Sequence, residues 1–104
     1  MLTYEIACQT GFNACVDKLG RNFVRAHRDS MYSSYGDYGD HVHCYVGVDT
    51  APPPKMGNGL WLTSDKCPYF ANCRVDFLDG KVTFLECVLP PEEVVAQSLK
   101  VAAE

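Results

Sequence analysis

Two runs of alternating hydrophobic and polar residues in the second half of the chain predict a β-hairpin. They span residues 73–89 on either side of Asp79-Gly80, a dipeptide that readily adopts the positive φ angles of a type I′ turn. A two-residue loop would place four hydrophobic side chains on one face, in the opposed pairs Val75 with Phe84 and Phe77 with Val82. Because a slip of one residue would scatter this set over both faces, the pattern predicts the register as well as the strands.

Residues 41–49 alternate in the same way and predict another strand. One face of it would carry Val42, Cys44, Val46 and Val48, and the other would carry His41, His43 and Tyr45. Residues 59–63, which include Trp61, predict a short strand. Residues 2–7 are compatible with a short strand or with the start of a helix, and we expect the strand because hydrophobic residues alternate there.

Hydrophobic residues recur at helical spacing over residues 10–28, which predicts one long helix. The members of this apolar stripe are Phe12, Val16, Leu19, Phe23 and Ala26. Thr10 or Asn13 can cap its start, and Gly20 would mark a close crossing with a sheet. A second, short helix is predicted after Pro90-Pro91, where proline suits the first helical position. Alone it would be marginal, so it should dock on the sheet or on another subunit.

This order of elements predicts a single α+β domain over residues 1–104. An antiparallel sheet of four to five strands would be packed by the long N-terminal helix, with the short helix at the C-terminus. In element order the chain resembles the cystatin-like and NTF2-like rolls. That resemblance is one of architecture, and no motif in the sequence identifies a family. It therefore implies no particular function.

Composition and cysteine usage favour a reduced cytoplasmic protein. Hydrophobic residues make up 47% of the chain, yet no apolar run approaches the ~20 residues that span a bilayer, and no signal peptide is evident. In the predicted hairpin, Cys73 would face Glu86 and Cys87 would face Asn72. The two thiols would then project to opposite sides, where they cannot be bridged. We expect all six cysteines to be free.

Residues 29–40 predict a recognition loop. They contain the triplet Tyr-Gly-Asp twice, and serine, glycine and aspartate disfavour regular structure. Tyr32, Tyr35 and Tyr38 would supply rigid amphipathic contact area, as tyrosines do in antibody loops. Trp61 would add to the same surface.

Four cations predict a basic stripe along the long helix: Lys18, Arg21, Arg25 and Arg28. Such a stripe can bind an acidic partner. The acidic residues of the following segment 29–49 can instead neutralise it, and the net charge of −4 argues against nucleic acid as a partner.

Catalytic and metal-binding patterns are sparse. His41 and His43 would point to one side of their strand and are the candidate metal ligands, but no cysteine pair has the spacing of a zinc site. Glu86 would lie on the apolar hairpin face, where burial raises a carboxyl pKa, so Glu86 and His27 are the candidate general acid or base. No metal or cofactor is expected.

Two functional interpretations remain. The first is a small binding protein, inhibitor-like or immunity-like, that recognises a macromolecule or a small ligand through the tyrosine loop and adjacent surface. The alternative is a small-molecule-binding protein or enzyme with a cavity between the long helix and the sheet. The sequence does not decide whether the protein is an enzyme, and a homodimer is compatible with both interpretations.

Overall fold

A four-stranded antiparallel sheet packed by helices forms the framework of the protein. The computed structural model describes residues 1–50 and 67–103. The elements in chain order are α1 Tyr4–Leu19, α2 Arg21–Ala26, a 3-10 turn Arg28–Ser30, β1 Met31–Asp37, β2 His41–Val48, β3 Tyr69–Asp76, β4 Val82–Val88 and α3 Glu92–Ala102. The strands lie side by side in sequence order. The predicted α+β class, with one long N-terminal helix and a short C-terminal one, is confirmed.

The hydrophobic core lies between α1 and the two central strands. Val42, Cys44, Val46 and Val48 of β2 are buried on one side of the sheet, as their alternation predicts, together with Ala71, Cys73 and Val75 of β3. The residues of α1 that meet them share one helical face: Ala7, Gly11, Cys15, Val16 and Leu19. The described residues of α1 and of the central strands that face each other are therefore buried in one common core.

The N-terminal segment is helical, so the strand expected over residues 2–7 is wrong. Thr3 caps α1 because its side-chain hydroxyl accepts a hydrogen bond from the Ile6 N–H at 3.2 Å. Buried residues then follow at intervals of four from Ala7. The alternation that suggested a strand arises because Tyr4 and Ile6 are exposed hydrophobic residues.

The predicted long helix is divided at Gly20. This residue has a φ of 105°, a conformation open to glycine, and its N–H donates to the Val16 carbonyl. The chain resumes as the six-residue helix α2. Gly20 therefore ends α1 and does not mark the predicted close crossing with the sheet.

Residues 31–37, expected to lie in a loop, form the edge strand β1. Each of its seven residues pairs with β2 without interruption, from Met31 opposite Val48 to Asp37 opposite Val42. The local sequence has a low strand propensity, but hydrogen bonds to β2 stabilise the strand. Tertiary context thus overrides local propensity here.

The hairpin between β3 and β4 forms, but its predicted register is wrong by two residues. Val75 pairs with Val82, and Cys73 pairs with Phe84. Gly80 has a φ of 71° and no residue other than glycine has a positive φ among the described residues, so Asp79-Gly80 does not form a type I′ turn. Phe77 does not join the ladder, because its N–H donates to the Asp40 carbonyl and its carbonyl accepts from the Leu2 N–H.

The register shift and the irregularity between Ala71 and Cys73 change the environment of several predicted residues. Phe84, expected in the core, is 40% exposed, and the Lys18 ammonium lies 5.0 Å from its ring centre. Phe77 is half-buried against the core. Glu86 is exposed, so it is not the buried carboxyl that the sequence suggested.

Cys73 and Cys87 do not project to opposite sides of the sheet, contrary to the prediction. An irregularity between Ala71 and Cys73 brings Cys87 opposite Ala71, so Cys87 packs beside the same core as Cys73. All six cysteines are nevertheless free in the structure. The strand predicted over residues 59–63, with Trp61, lies outside the described residues.

Candidate functional site

The side of the sheet opposite α1 carries most of the partly exposed aromatic and polar residues of the central strands. The strand pairing places eleven residues of these three strands there, which we call the outer face: Tyr32, Ser34 and Gly36 of β1, His41, His43, Tyr45 and Gly47 of β2, and Phe70, Asn72, Arg74 and Asp76 of β3. The same alternation that buries one side of β2 and β3 exposes this one. The outer face is thus a direct consequence of the pattern that builds the core.

Tyr38, in the turn between β1 and β2, folds back onto this face and forms an aromatic cluster with two histidines. Its ring centre lies 5.2 Å from that of His41, with the planes 4° apart, and 4.4 Å from that of His43. A Cβ atom on Gly36 would come within 3.0 Å of the Tyr38 ring. Gly36 therefore provides the space in which this ring rests, while Tyr38 keeps 60% of its surface exposed.

A second aromatic pair extends the outer face. Tyr45 stacks on Phe70 with ring centres 5.8 Å apart. Gly47 leaves space for the Tyr45 hydroxyl and for the Cys67 sulfur, which would lie 2.8 Å from a Cβ at this position. Burial, and then the hydrogen bond with Cys67, raise the pKa of Tyr45 to about 12. The phenol is therefore a neutral donor and acceptor at physiological pH.

A groove of about 350 Å³ lies between these two aromatic groups. Its walls include the rings of Tyr38, His43 and Tyr45, and Ser34 and Asn72 add polar atoms. This combination presents π-faces together with hydroxyl, imidazole and carboxamide groups. It is suited to a neutral group that both stacks and forms hydrogen bonds.

The charged residues around the groove are paired with one another. An Arg74 Nη2 atom lies 2.8 Å from an Asp76 carboxylate oxygen. His41 Nδ1 contacts the Asp40 carboxylate, and this hydrogen bond holds the pKa of Asp40 below its usual value. Hydrogen bonding to Asp76 likewise raises the pKa of Arg74. Among the described residues, the lining of the groove itself contains no Asp, Glu, Lys or Arg side chain.

The structure separates the three tyrosines of the predicted recognition surface. Tyr32 and Tyr38 belong to the outer face and its border, but Tyr35 pairs with Cys44 and points to the side of α1. All three are exposed, at 51%, 60% and 39% for Tyr32, Tyr38 and Tyr35. Partial burial raises the pKa of Tyr35. Trp61 lies outside the described residues.

Sequence reasoning did not select Tyr45, Phe70 or Asn72 as site residues. Tyr45 shares the polar face of β2 with His41 and His43, so the alternation contained the signal. Phe70 is brought to Tyr45 by the pairing of β2 with β3, in which Gly47 lies opposite Phe70. That pairing joins residues more than 20 positions apart, and a local pattern contains no information about it.

His27, a candidate acid or base, lies in a second groove of about 420 Å³ between α2 and α3. Its Nε2 atom is 2.7 Å from the Ser98 hydroxyl oxygen, and the Ser98 hydroxyl donates to the Val94 carbonyl at 2.8 Å. The Ser98 hydroxyl oxygen thus contacts both the imidazole and the Val94 carbonyl. The pair therefore fastens α3 to α2.

Three buried cysteines meet beneath α1. The sulfur atoms of Cys15 and Cys73 are 3.6 Å apart, and hydrogen bonding with Cys15 raises the pKa of Cys73 to about 12. A hydrogen bond with Cys73, and burial, raise the pKa of Cys44 further. Since the thiolate is the nucleophilic form, these buried thiols act as small hydrophobic side chains.

The predicted basic stripe is not continuous. Lys18 belongs to α1 and covers Phe84, whereas Arg21 and Arg25 belong to α2 beyond the break at Gly20. Arg21 is paired with Asp17, with Nη2 and Oδ1 2.7 Å apart. Arg25 and Arg28 border a shallow hollow beside α3. One helix face carrying four cations is therefore not formed.

Neither a metal centre nor a membrane span is found in the described part of the chain. No three or more His, Cys, Asp or Glu side chains within residues 1–50 and 67–103 are arranged to hold a metal ion, and this includes His41 and His43. No helix in these ranges combines the length and apolar character that crossing a bilayer requires.

Comparison of the chain with protein-family models, with curated proteins and with solved structures gives no match.

Proposed function

We propose that this protein is a small binding protein of the cytoplasm that recognises a protein partner through its outer face. The observation that carries the proposal is the aromatic cluster of Tyr38, His41 and His43, next to the stacked Tyr45 and Phe70. Exposed tyrosines gain energy when a partner removes them from water, and their hydroxyls can still form hydrogen bonds there. The paired charges and the neutral groove favour a partner surface that is polar and aromatic over a strongly charged one.

Substitutions on the two sides of β1 test this proposal. The outer-face variant carries Tyr32→Ser and Tyr38→Ser, and the matched control carries Tyr35→Ser on the opposite side of the same strand. Immobilised wild-type protein and both variants would be exposed to extract of the native cells. The retained proteins would be identified by mass spectrometry, and the affinity of each candidate would then be measured by calorimetry.

We expect a partner that the wild type and the Tyr35 variant retain and that the outer-face variant loses. Its affinity for the outer-face variant should fall at least about fivefold for each tyrosine that is a hot spot. Circular dichroism would verify that all three proteins are folded. If a partner binds the three proteins with equal affinity, the outer face is not its recognition surface and the proposal is wrong.

A second candidate function is the binding of a small apolar ligand in the groove between α2 and α3. The groove has a suitable volume, and His27 and Ser98 supply polar atoms at one wall. Fluorescence of 1-anilinonaphthalene-8-sulfonate, an apolar probe, would report occupancy. Ala26→Trp should fill the groove and abolish the signal, and retention of the signal would exclude this site.

A further inference from the structure

The two edges of the sheet differ in how well they are protected against pairing with another strand. β4 contains Glu86 and is preceded directly by Lys81, its pairing with β3 is irregular, and Pro90 and Pro91 follow it. Charges, irregularities and prolines are the devices by which natural sheets block their edges. β1 has none of these between Met31 and Gly36, its pairing with β2 is regular, and no described strand lies on its other side.

The hydrogen bonds to β2 reveal which backbone groups of β1 point outward. The Tyr38 N–H donates to the His41 carbonyl, and the Ser30 carbonyl accepts from the Asp49 N–H, both at 3.0 Å. Both contacts continue the register of β1 with β2, so the even-numbered residues form the hydrogen-bonded pairs. Bonded and non-bonded pairs alternate in antiparallel sheets. The outward N–H and C=O groups therefore belong to Met31, Ser33, Tyr35 and Asp37.

We infer that two copies of the chain pair through β1 and join their sheets into one continuous sheet. A two-fold axis perpendicular to the sheet at Ser34 sets Met31 opposite Asp37 and Ser33 opposite Tyr35 of the other copy. All seven residues of β1 are then paired. Each copy uses its four outward N–H groups and its four outward carbonyls, which gives eight hydrogen bonds across the axis.

Other two-fold registers are worse. The pleat requires paired residues to point to the same face, so the axis must pass through a residue and not between two. An axis at Ser33 pairs only residues 31–35, and an axis at Tyr35 pairs only residues 33–37 and sets two tyrosines against each other. Either of these registers leaves outward backbone groups unpaired, so the axis at Ser34 is favoured.

The side chains of β1 are complementary to themselves about Ser34. Tyr32 comes opposite Gly36 of the other copy, Tyr35 comes opposite Ser33, and Ser34 meets Ser34. Tyr35 thus meets a small residue, and Tyr32 meets the glycine over which the Tyr38 ring of the other copy lies. Asp37 comes opposite Met31, so no like charges meet.

The same register joins the outer faces of the two copies. The ring of Tyr38 lies over Gly36, where it would be 3.0 Å from a Cβ, so Tyr32 of one copy meets the Tyr38 ring of the other. A seven-residue edge at ~3.3 Å per residue spans only ~23 Å. This contact is small compared with standard protein interfaces, so we expect dimerisation to depend on concentration. The inference of a dimer does not depend on what the outer face binds.

Engineered cysteines test the register directly. Ser34 would be a non-hydrogen-bonded pair with itself, at a Cα separation of ~4.5 Å, and disulfides form at ~4.4–6.8 Å. With copper phenanthroline as oxidant, Ser34→Cys should give a covalent dimer on a non-reducing gel. Ser33→Cys is the matched control. The two cysteines at position 33 would lie diagonally across the axis, so they should cross-link much more slowly. The wild type measures background from the native thiols.

Sedimentation equilibrium tests the association without cross-linking. The wild-type mass should rise towards twice the monomer mass with concentration. Ser33→Lys, which places a charge on the β1 edge, should keep the protein monomeric, whereas Thr83→Lys on β4 should leave association unchanged. A wild type that stays monomeric at the highest soluble concentration, equal cross-linking of the two cysteine variants, or an equal effect of the two lysines would overturn the inference.

Discussion

Tyr45 shows how a single side chain connects the core pattern with the candidate site. Its place on β2 follows from the alternation that buries Cys44 and Val46 on the other side of the strand. Its ring stacks on Phe70, and Gly47 leaves the space into which its hydroxyl reaches. The face on which Tyr45 lies was predictable from the sequence. Its contacts were not, since they depend on which strand becomes the neighbour of β2.

The raised pKa of Tyr45 predicts a specific loss of stability in alkaline solution. The group has a pKa of about 12 in the folded state, above the unfolded value of 10.0. Its stabilising contribution is thus complete below pH 10 and is lost as the pH rises towards 12. Urea denaturation between pH 9 and 12 should show a steeper decline for the wild type than for Tyr45→Phe, which retains the ring. Parallel declines would show that the Tyr45 hydroxyl is not shielded as described.

At the scale of elements, the hairpin shows why alternation predicts faces better than pairing. A shift of two residues retains the parity of every side chain, so the sequence pattern is equally compatible with both registers. The actual register is decided by Phe77, whose backbone bonds to Asp40 and Leu2 remove it from the ladder. Both partners are distant in sequence. The failure over residues 31–37 has the same origin, because β2 supplies the pairing that makes β1 a strand.

Two phenylalanine substitutions test this register. Phe23 is 1% exposed and Phe84 is 40% exposed, so Phe23→Ala should cost ~3–5 kcal/mol of stability and Phe84→Ala clearly less. Chemical denaturation at neutral pH measures both values, and circular dichroism establishes that each variant is folded. Equal costs would place Phe84 in the core and would support the two-residue loop instead.

For the whole molecule, the sequence predicted the fold class and the buried side of β2, but it predicted neither the positions of Phe77 and Phe84 nor the site. The core is determined by local periodicity in α1 and β2, and α1 packs on the central strands accordingly. The outer face requires the order of the strands, which arises only when distant segments meet. Tyr35 lies apart from Tyr32 for this reason, since a strand sends alternate side chains to opposite sides.

The distribution of the thiols predicts a graded reaction with alkylating reagents. Cys8 and Cys87 are half-buried, and the other four cysteines are buried. Without reductant, iodoacetamide should modify Cys8 and Cys87 first in the native protein, and all six only after denaturation. Intact mass and peptide mapping follow the reaction. A native disulfide, or early modification of Cys15 or Cys73, would contradict the packing described for the core.

The space that Gly36 leaves for the Tyr38 ring has a consequence for the thermodynamics of recognition. A free tyrosine side chain samples several rotamers, and ordering them at an interface opposes association. Here the ring already lies against two imidazoles in the folded chain. The entropic penalty of ordering it is therefore met during folding. A side chain at position 36 would displace the Tyr38 ring, so the ring would have to be ordered during binding. Affinity would then fall even though the substituted residue touched no partner.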